Sequence, residues 1–244
     1  MSEASSRAPS RVWYAAYGSN THAERLFCYL AGGRPPGAAR AFPGCRDPRP
    51  PERSVALVLP GRVYFATESP VWGGGRAFYD AAADGTAWGV AHLLTAGQFS
   101  DIAAQEMYRP PGADLDLTEV RATGRCSLGT GRYETLVCSG VLDGLPVLTF
   151  TAPWPMPEGG EEDGWEDGRD GGLRPPSAAY LRHVAAGLHG AGAWRPAEVA
   201  AYLAGCPGAA GHWTPEAVAA LSAPTAPTGP PGPPSRCRPD PRRS

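Results

Sequence analysis

The chain contains no lysine; all 22 of its basic residues are arginine. That excludes a lysine Schiff base, with or without pyridoxal phosphate, and a phosphate-binding loop of the Walker type. A surplus of charge is also lacking. The 22 basic and 24 acidic residues leave a net charge of -2, which disfavours a nucleic-acid coat or a polybasic membrane anchor. No stretch approaches the roughly 20 apolar residues of a membrane span. Residues 1–11 are polar, so no signal peptide is read there and a cytoplasmic location is expected. The six cysteines (28, 45, 126, 138, 206, 237) show no C-x-x-C spacing and read as free thiols in a reducing compartment.

Two enzyme classes lose their signatures as well. The five histidines (22, 92, 183, 189, 212) include no H-x-x-x-H pair. His183 and His189, six apart on one predicted helix, point about 240° from each other. Neither pattern offers a zinc site, which disfavours a zinc amide hydrolase such as a deacetylase. Ser19 follows Gly18, but there is no G-x-S-x-G elbow, which disfavours a Ser–His–acid hydrolase.

What is present is enough for one domain. The chain has 244 residues, 42% of them apolar, which suits a core of about 150 to 220 residues. Glycine (32) and proline (28) are together about twice their usual share, and that predicts irregular segments. Residues 1–11 read as a disordered tail and 12–222 as a single domain. Within it, 155–176 reads as a long solvated loop holding seven acidic residues. Residues 223–244 read as a Pro-rich disordered tail.

Within the domain, β-rich runs bounded by Gly or Pro predict strands at 12–17, 55–59, 63–66, 87–94, 134–141 and 145–152. Asp143-Gly144 joins the last two as a hairpin turn. Thr21 and Glu24 form a capping-box pattern ahead of a helix over 23–31, and Thr95 with Gln98 opens a helix to about Tyr108. Ser177 caps a helix over 178–188, and Pro196 and Pro215 occupy the first turns of two short helices.

One carboxylate stands out. At 100° per residue, Phe99, Ile102, Ala103 and Met107 share one side of the helix over 96–108. Glu106 falls between Phe99 and Ile102, whereas Asp101 and Tyr108 face away. A carboxylate within an apolar stripe is costly unless paired or protonated, which makes it a candidate general base or acid. The plainer alternative is a salt bridge to Arg109. A second feature is the turn Gly18-Ser19-Asn20 between a strand and a helix. Its backbone N–H groups suit a carboxylate or a developing oxyanion, or it is simply a tight turn.

Here the residues carry a resemblance. Tyr17-Gly18-Ser19-Asn20 after a first strand resembles the opening motif of the γ-glutamylcyclotransferase-like family. Trp72-Gly73-Gly74-Gly75-Arg76-Ala77, Trp88-Gly89-Val90 and Ile102-Ala103-Ala104-Gln105-Glu106 resemble later family elements in order. Pro176-Ser177-Ala178-Ala179-Tyr180 resembles its Pro-Ser-x-x-Tyr helix start. The resemblance is piecewise, over about 12–110 and 141–205.

The resemblance implies an α+β fold, a small mixed barrel-like sheet with helices around it. It also implies a transferase or lyase reaction that releases 5-oxoproline from a small γ-glutamyl amide, with no cofactor, nucleic acid or membrane partner. Glu106 would be the catalytic base, and Tyr17, Gly18, Ser19, Asn20 and Tyr180 would bind substrate. Two positions depart from the pattern: Ala103 replaces a family Asp, and Met107 replaces a Gly often found after the catalytic Glu. The segment 34–53 is long and Arg/Pro-rich. There Arg46, Arg49 and Arg53 are read as surface charges or as receptors for a second carboxylate or a phosphate. The competing reading is an inactive member of the same fold that serves as a binding module, with Glu106 merely salt-bridged.

Overall fold

Along the strand β1 (Arg11–Ala16) successive side chains enter opposite cores. Trp13 and Ala15 point to one side, Val12, Tyr14 and Ala16 to the other. This is the period-2 alternation of a strand buried on both faces, and it makes β1 the centre of the molecule. The computed structural model describes residues 10–34, 41–157, 172–221 and 235–236.

After β1, a 3₁₀ turn (Ser19–Thr21) leads into α1 (Ala23–Ala31). There follow β2 (Arg53–Pro60), β3 (Arg62–Glu68), β4 (Gly75–Asp80), β5 (Thr86–Thr95) and α2 (Ala96–Glu106). Next come α3 (Thr118–Thr123), β6 (Arg125–Ser127), β7 (Thr135–Leu142) and β8 (Leu145–Thr151). The chain ends with α4 (Ala178–Gly190), α5 (Pro196–Ala204), α6 (Pro215–Leu221) and β9 (Ser235–Arg236).

The α+β class read from the sequence holds, but the sheet is open rather than barrel-like. Its order is β6-β7-β8-β1-β5-β2-β9, with β1 antiparallel to β5 and parallel to β8. The edges are segments of only three and two residues, which offer little backbone for closure. The strands β3 and β4 form a separate ribbon. It is fastened to the main sheet by Thr151, whose Oγ1 accepts from Tyr79 N at 3.0 Å and donates to Tyr79 O at 2.7 Å. The helices α4–α6 cover one face of the sheet, while α1–α3 cover the other.

Several local readings hold for identifiable reasons. Asp143 (φ 49°) and Gly144 (φ 78°) both take the left-handed backbone of a two-residue hairpin. Both bonds of the Thr95–Gln98 capping box form, and Ser177 caps α4 by accepting from Tyr180 N at 3.2 Å. The box predicted at Thr21 does not form. His22 occupies the N-cap, and the Thr21 hydroxyl donates instead to Gly18 O at 2.8 Å, closing the preceding turn. Asp101 does not face solvent. It is buried because Arg46 covers it, donating Nε at 3.0 Å and backbone N at 2.8 Å. Of the segments predicted to be irregular, 1–9, 158–171, 222–234 and 237–244 lie outside the described residues, and Cys237 with them.

Candidate active site

The end of β1, the turn after it, α1, the 69–77 segment, the end of α2 and the start of α4 surround one cavity of about 80 Å³. All six residues singled out from the sequence line it: Tyr17, Gly18, Ser19, Asn20, Glu106 and Tyr180.

Glu106 is the last residue of α2 and is half-buried. The helix presents Phe99, Ile102 and Ala103 to the core beneath β1 and β8, which fixes the rotation that turns Glu106 into the cavity. The negative end of the helix dipole is a costly place for a carboxylate. Two donors offset that cost. Asn20 Nδ2 donates to Glu106 Oε1 at 3.1 Å, and Tyr29 shares a side-chain hydrogen bond with the same carboxylate. Arg109 is not its partner; it pairs with Glu134 instead. Met107 has φ −82°, so no glycine is required there; the left-handed residue that ends the helix is Tyr108 (φ 58°).

The turn is built by close packing. Gly18 has an ordinary negative φ, but a Cβ there would lie 2.8 Å from Tyr180 Oη. The amides of Thr21 and His22 fold back onto the carbonyls of Gly18 and Ser19 at 3.0 and 3.2 Å. From the other side, Gly187 of α4 lies against this backbone. A Cβ on it would be 2.3 Å from Thr21 Oγ1 and 2.6 Å from His22 N. The Asn20 carbonyl accepts from His92 Nε2 at 3.1 Å, while Ser54 Oγ lies 2.8 Å from Nδ1. Burial lowers the His92 pKa to about 4, so the ring is neutral at pH 7, donating through Nε2 and accepting at Nδ1.

Around Glu106 stand four tyrosines: Tyr14, Tyr29, Tyr133 and Tyr180. Burial raises the pKa of each, and the nearby Glu106 charge adds to the rise. Tyr180 is pushed up to about 12. Its oxygen accepts from Ala77 N at 3.2 Å and from the backbone of Ser19. Two accepted bonds leave the hydroxyl proton to be donated toward the cavity. Tyr17 plays a supporting part, its hydroxyl donating to Phe150 O at 2.7 Å. Glu106 is the single carboxylate among the described residues that line the cavity.

Of the two readings of Arg46, Arg49 and Arg53, the surface charge fits the structure, since none of the three lines the cavity. Arg46 pairs with Asp101 and Asp114, Arg49 with Asp47, and Arg53 with Asp143. The cavity is lined instead by Arg25 and Arg76, which the sequence reading passed over. A signal existed for Arg25, which shares the apolar side of α1 with Tyr29. That is the same anomaly that drew attention to Glu106. Among the described residues, no three His, Cys, Asp or Glu side chains are grouped so as to hold a metal ion.

No family model matches the sequence. Over 208 residues, 79% of this chain, it is 31% identical to an Arabidopsis thaliana protein named Histone deacetylase 5. The chain spans about 30% of the length of that protein. Similar solved structures include one named Gamma-glutamyl cyclotransferase, with 14% identity and a TM-score of 0.41, covering 75% of this chain and 80% of that one. Another is an uncharacterized protein from Homo sapiens, with 18% identity and a TM-score of 0.39, covering 75% and 81%.

Proposed function

We propose that this chain is a cyclotransferase that releases 5-oxoproline from a small γ-glutamyl amide, with Glu106 as general base and then general acid. The observation that carries this reading is the lone cavity carboxylate, tied by Asn20 to the turn that would hold the substrate. The in-order motif resemblance at 17–20, 72–77, 88–90, 102–106 and 176–180 supports it.

The chemistry follows from the placement. Glu106 takes one proton from the substrate α-ammonium, whose unperturbed pKa of about 8 makes that transfer accessible to a carboxylate. The freed amine attacks the γ-carbonyl carbon of the same molecule and closes a five-membered ring. As the C–N bond forms, charge develops on the carbonyl oxygen, and the Tyr180 hydroxyl and the turn backbone donate to it. The tetrahedral intermediate collapses by breaking the bond to the leaving amine, which takes the proton held by Glu106; the ring nitrogen gives its second proton to the restored carboxylate and through it to the departing amine, which leaves as an ammonium. The products are 5-oxoproline and a free amine. Nucleophile and electrophile belong to one molecule, so holding the chain folded supplies much of the rate.

The experiment is release of 5-oxoproline from a panel of γ-glutamyl amides by the wild type and by Glu106→Gln. Loss of a base of this kind is expected to cost about 10²- to 10⁴-fold in rate with the circular dichroism spectrum unchanged. Release that persists in Glu106→Gln removes the base from the scheme. No release by the wild type across the panel removes the activity and leaves the fold as a binding module.

A further inference from the structure

Arg25 and Arg76 are only 4% and 6% exposed, yet neither forms an ion pair among the described residues. Every arginine there that does pair with a carboxylate is far more exposed, its side chain at least 44% accessible. The Arg25 guanidinium carbon lies 4.7 Å from the Phe42 ring centre, 5.2 Å from Tyr29 and 5.5 Å from Trp72. Those rings stabilise the cation through their π faces. They do nothing for its in-plane N–H donors, and among the described residues Nε and Nη1 of Arg25 have no partner. Arg76 donates Nη2 to the Glu68 carbonyl, and its Nε also has no partner among those residues. Two buried guanidinium groups with three unpartnered donor atoms line the same cavity as Glu106.

We infer that Arg25 and Arg76 form a receptor for a carboxylate carried by the ligand of this cavity. A planar fork of N–H donors matches a carboxylate in shape and charge, and desolvated charges of this kind are stable only when paired. A carboxylate suits the site better than a phosphate. Glu106 already places one negative charge in this small space, and a phosphate would bring nearly two more. The assignment deepens the cyclotransferase reading and, in this form, rests on it. The substrate α-carboxylate faces the arginines, so the donors of the 17–20 turn and Tyr180 are left for the reacting γ-carbonyl. That carboxylate survives in the product.

The test compares an acid with its amide by calorimetry at pH 7: 5-oxoproline against 5-oxoprolinamide, and benzoate against benzamide as a pair unrelated to the reaction. The wild type is expected to bind 5-oxoproline about tenfold or more tighter than its amide, the difference one charge-assisted hydrogen bond makes. Arg25→Met and Arg76→Gln are each expected to bring that ratio to within about twofold, whereas Arg25→Lys keeps part of it. Equal binding of acid and amide by the wild type, or a preference that survives both substitutions, overturns the receptor even if 5-oxoproline is released in the activity assay. If benzoate shows the arginine-dependent preference while 5-oxoproline does not bind, the receptor stands and the cyclotransferase reading falls. Should Arg25→Met fail to fold, the wild-type comparison and Arg76→Gln decide alone.

Discussion

Asn20 and Glu106 are 86 positions apart in the chain, and a single 3.1 Å hydrogen bond joins them across the cavity. The same amide nitrogen lies 3.1 Å from the Tyr14 hydroxyl. One side chain thereby sets the carboxylate relative to both the turn and the central strand.

Asn20→Ala is therefore expected to lower kcat for 5-oxoproline release by about 10- to 100-fold, some 1.4 to 2.8 kcal/mol of transition-state stabilisation. KM should change less, because Asn20 aims the base rather than supplying the main contact to substrate. Steady-state kinetics on the best amide of the panel separates the two. A rise in KM alone would show Asn20 to be a binding residue.

Gly18 and Tyr180 define the second prediction. A methyl group at position 18 would lie 2.8 Å from the Tyr180 oxygen, so Gly18→Ala is expected to cost about 1 to 3 kcal/mol of stability. Removing that oxygen with Tyr180→Phe should make the double variant less unstable than the two single losses together imply. Chemical denaturation of the four proteins gives the coupling directly, and additive losses would place the strain elsewhere.

His92 yields a pH dependence. Its folded pKa of about 4 lies below the ordinary value of 6.5, so the unfolded chain binds a proton first as the pH falls. Its contribution is intact above about pH 7 and is lost progressively from 6.5 down toward 4. Between pH 7.5 and 5.5 this group should remove about 1.4 kcal/mol of unfolding free energy. His92→Gln should lose that much of the slope, and an unchanged slope would mean the ring is already charged in the fold.

Much of this arrangement was legible in the residue pattern, and the gaps have physical causes. The period-3.6 stripe of Phe99, Ile102 and Ala103 located Glu106 before any tertiary contact was known, because a helix fixes rotation along with spacing. The Asp143-Gly144 turn was equally readable, since few residues accept left-handed backbone at two successive positions. The strand β4 escaped notice because Gly75, Arg76 and Asp80 interrupt the apolar run; its burial comes from β3 and Thr151, which sequence spacing does not show. The helix α3 was missed as well, being a single short stretch of mixed polarity. Arginines were the least legible. Arg46 could be a surface charge or a ligand receptor, and only the fold brings Asp101 beneath it, while nothing in the residue pattern was read as giving Arg25 or Arg76 a role.

The glycine at position 187 has a mechanical consequence. With no side chain between them, α4 and the backbone of Thr21 and His22 meet at contact distance, so neither can shift without displacing the other. The same helix carries Tyr180 into the cavity. The hydroxyl that would stabilise the transition state and the turn that would cradle it are thereby parts of one rigid body, and their spacing is set before any ligand arrives.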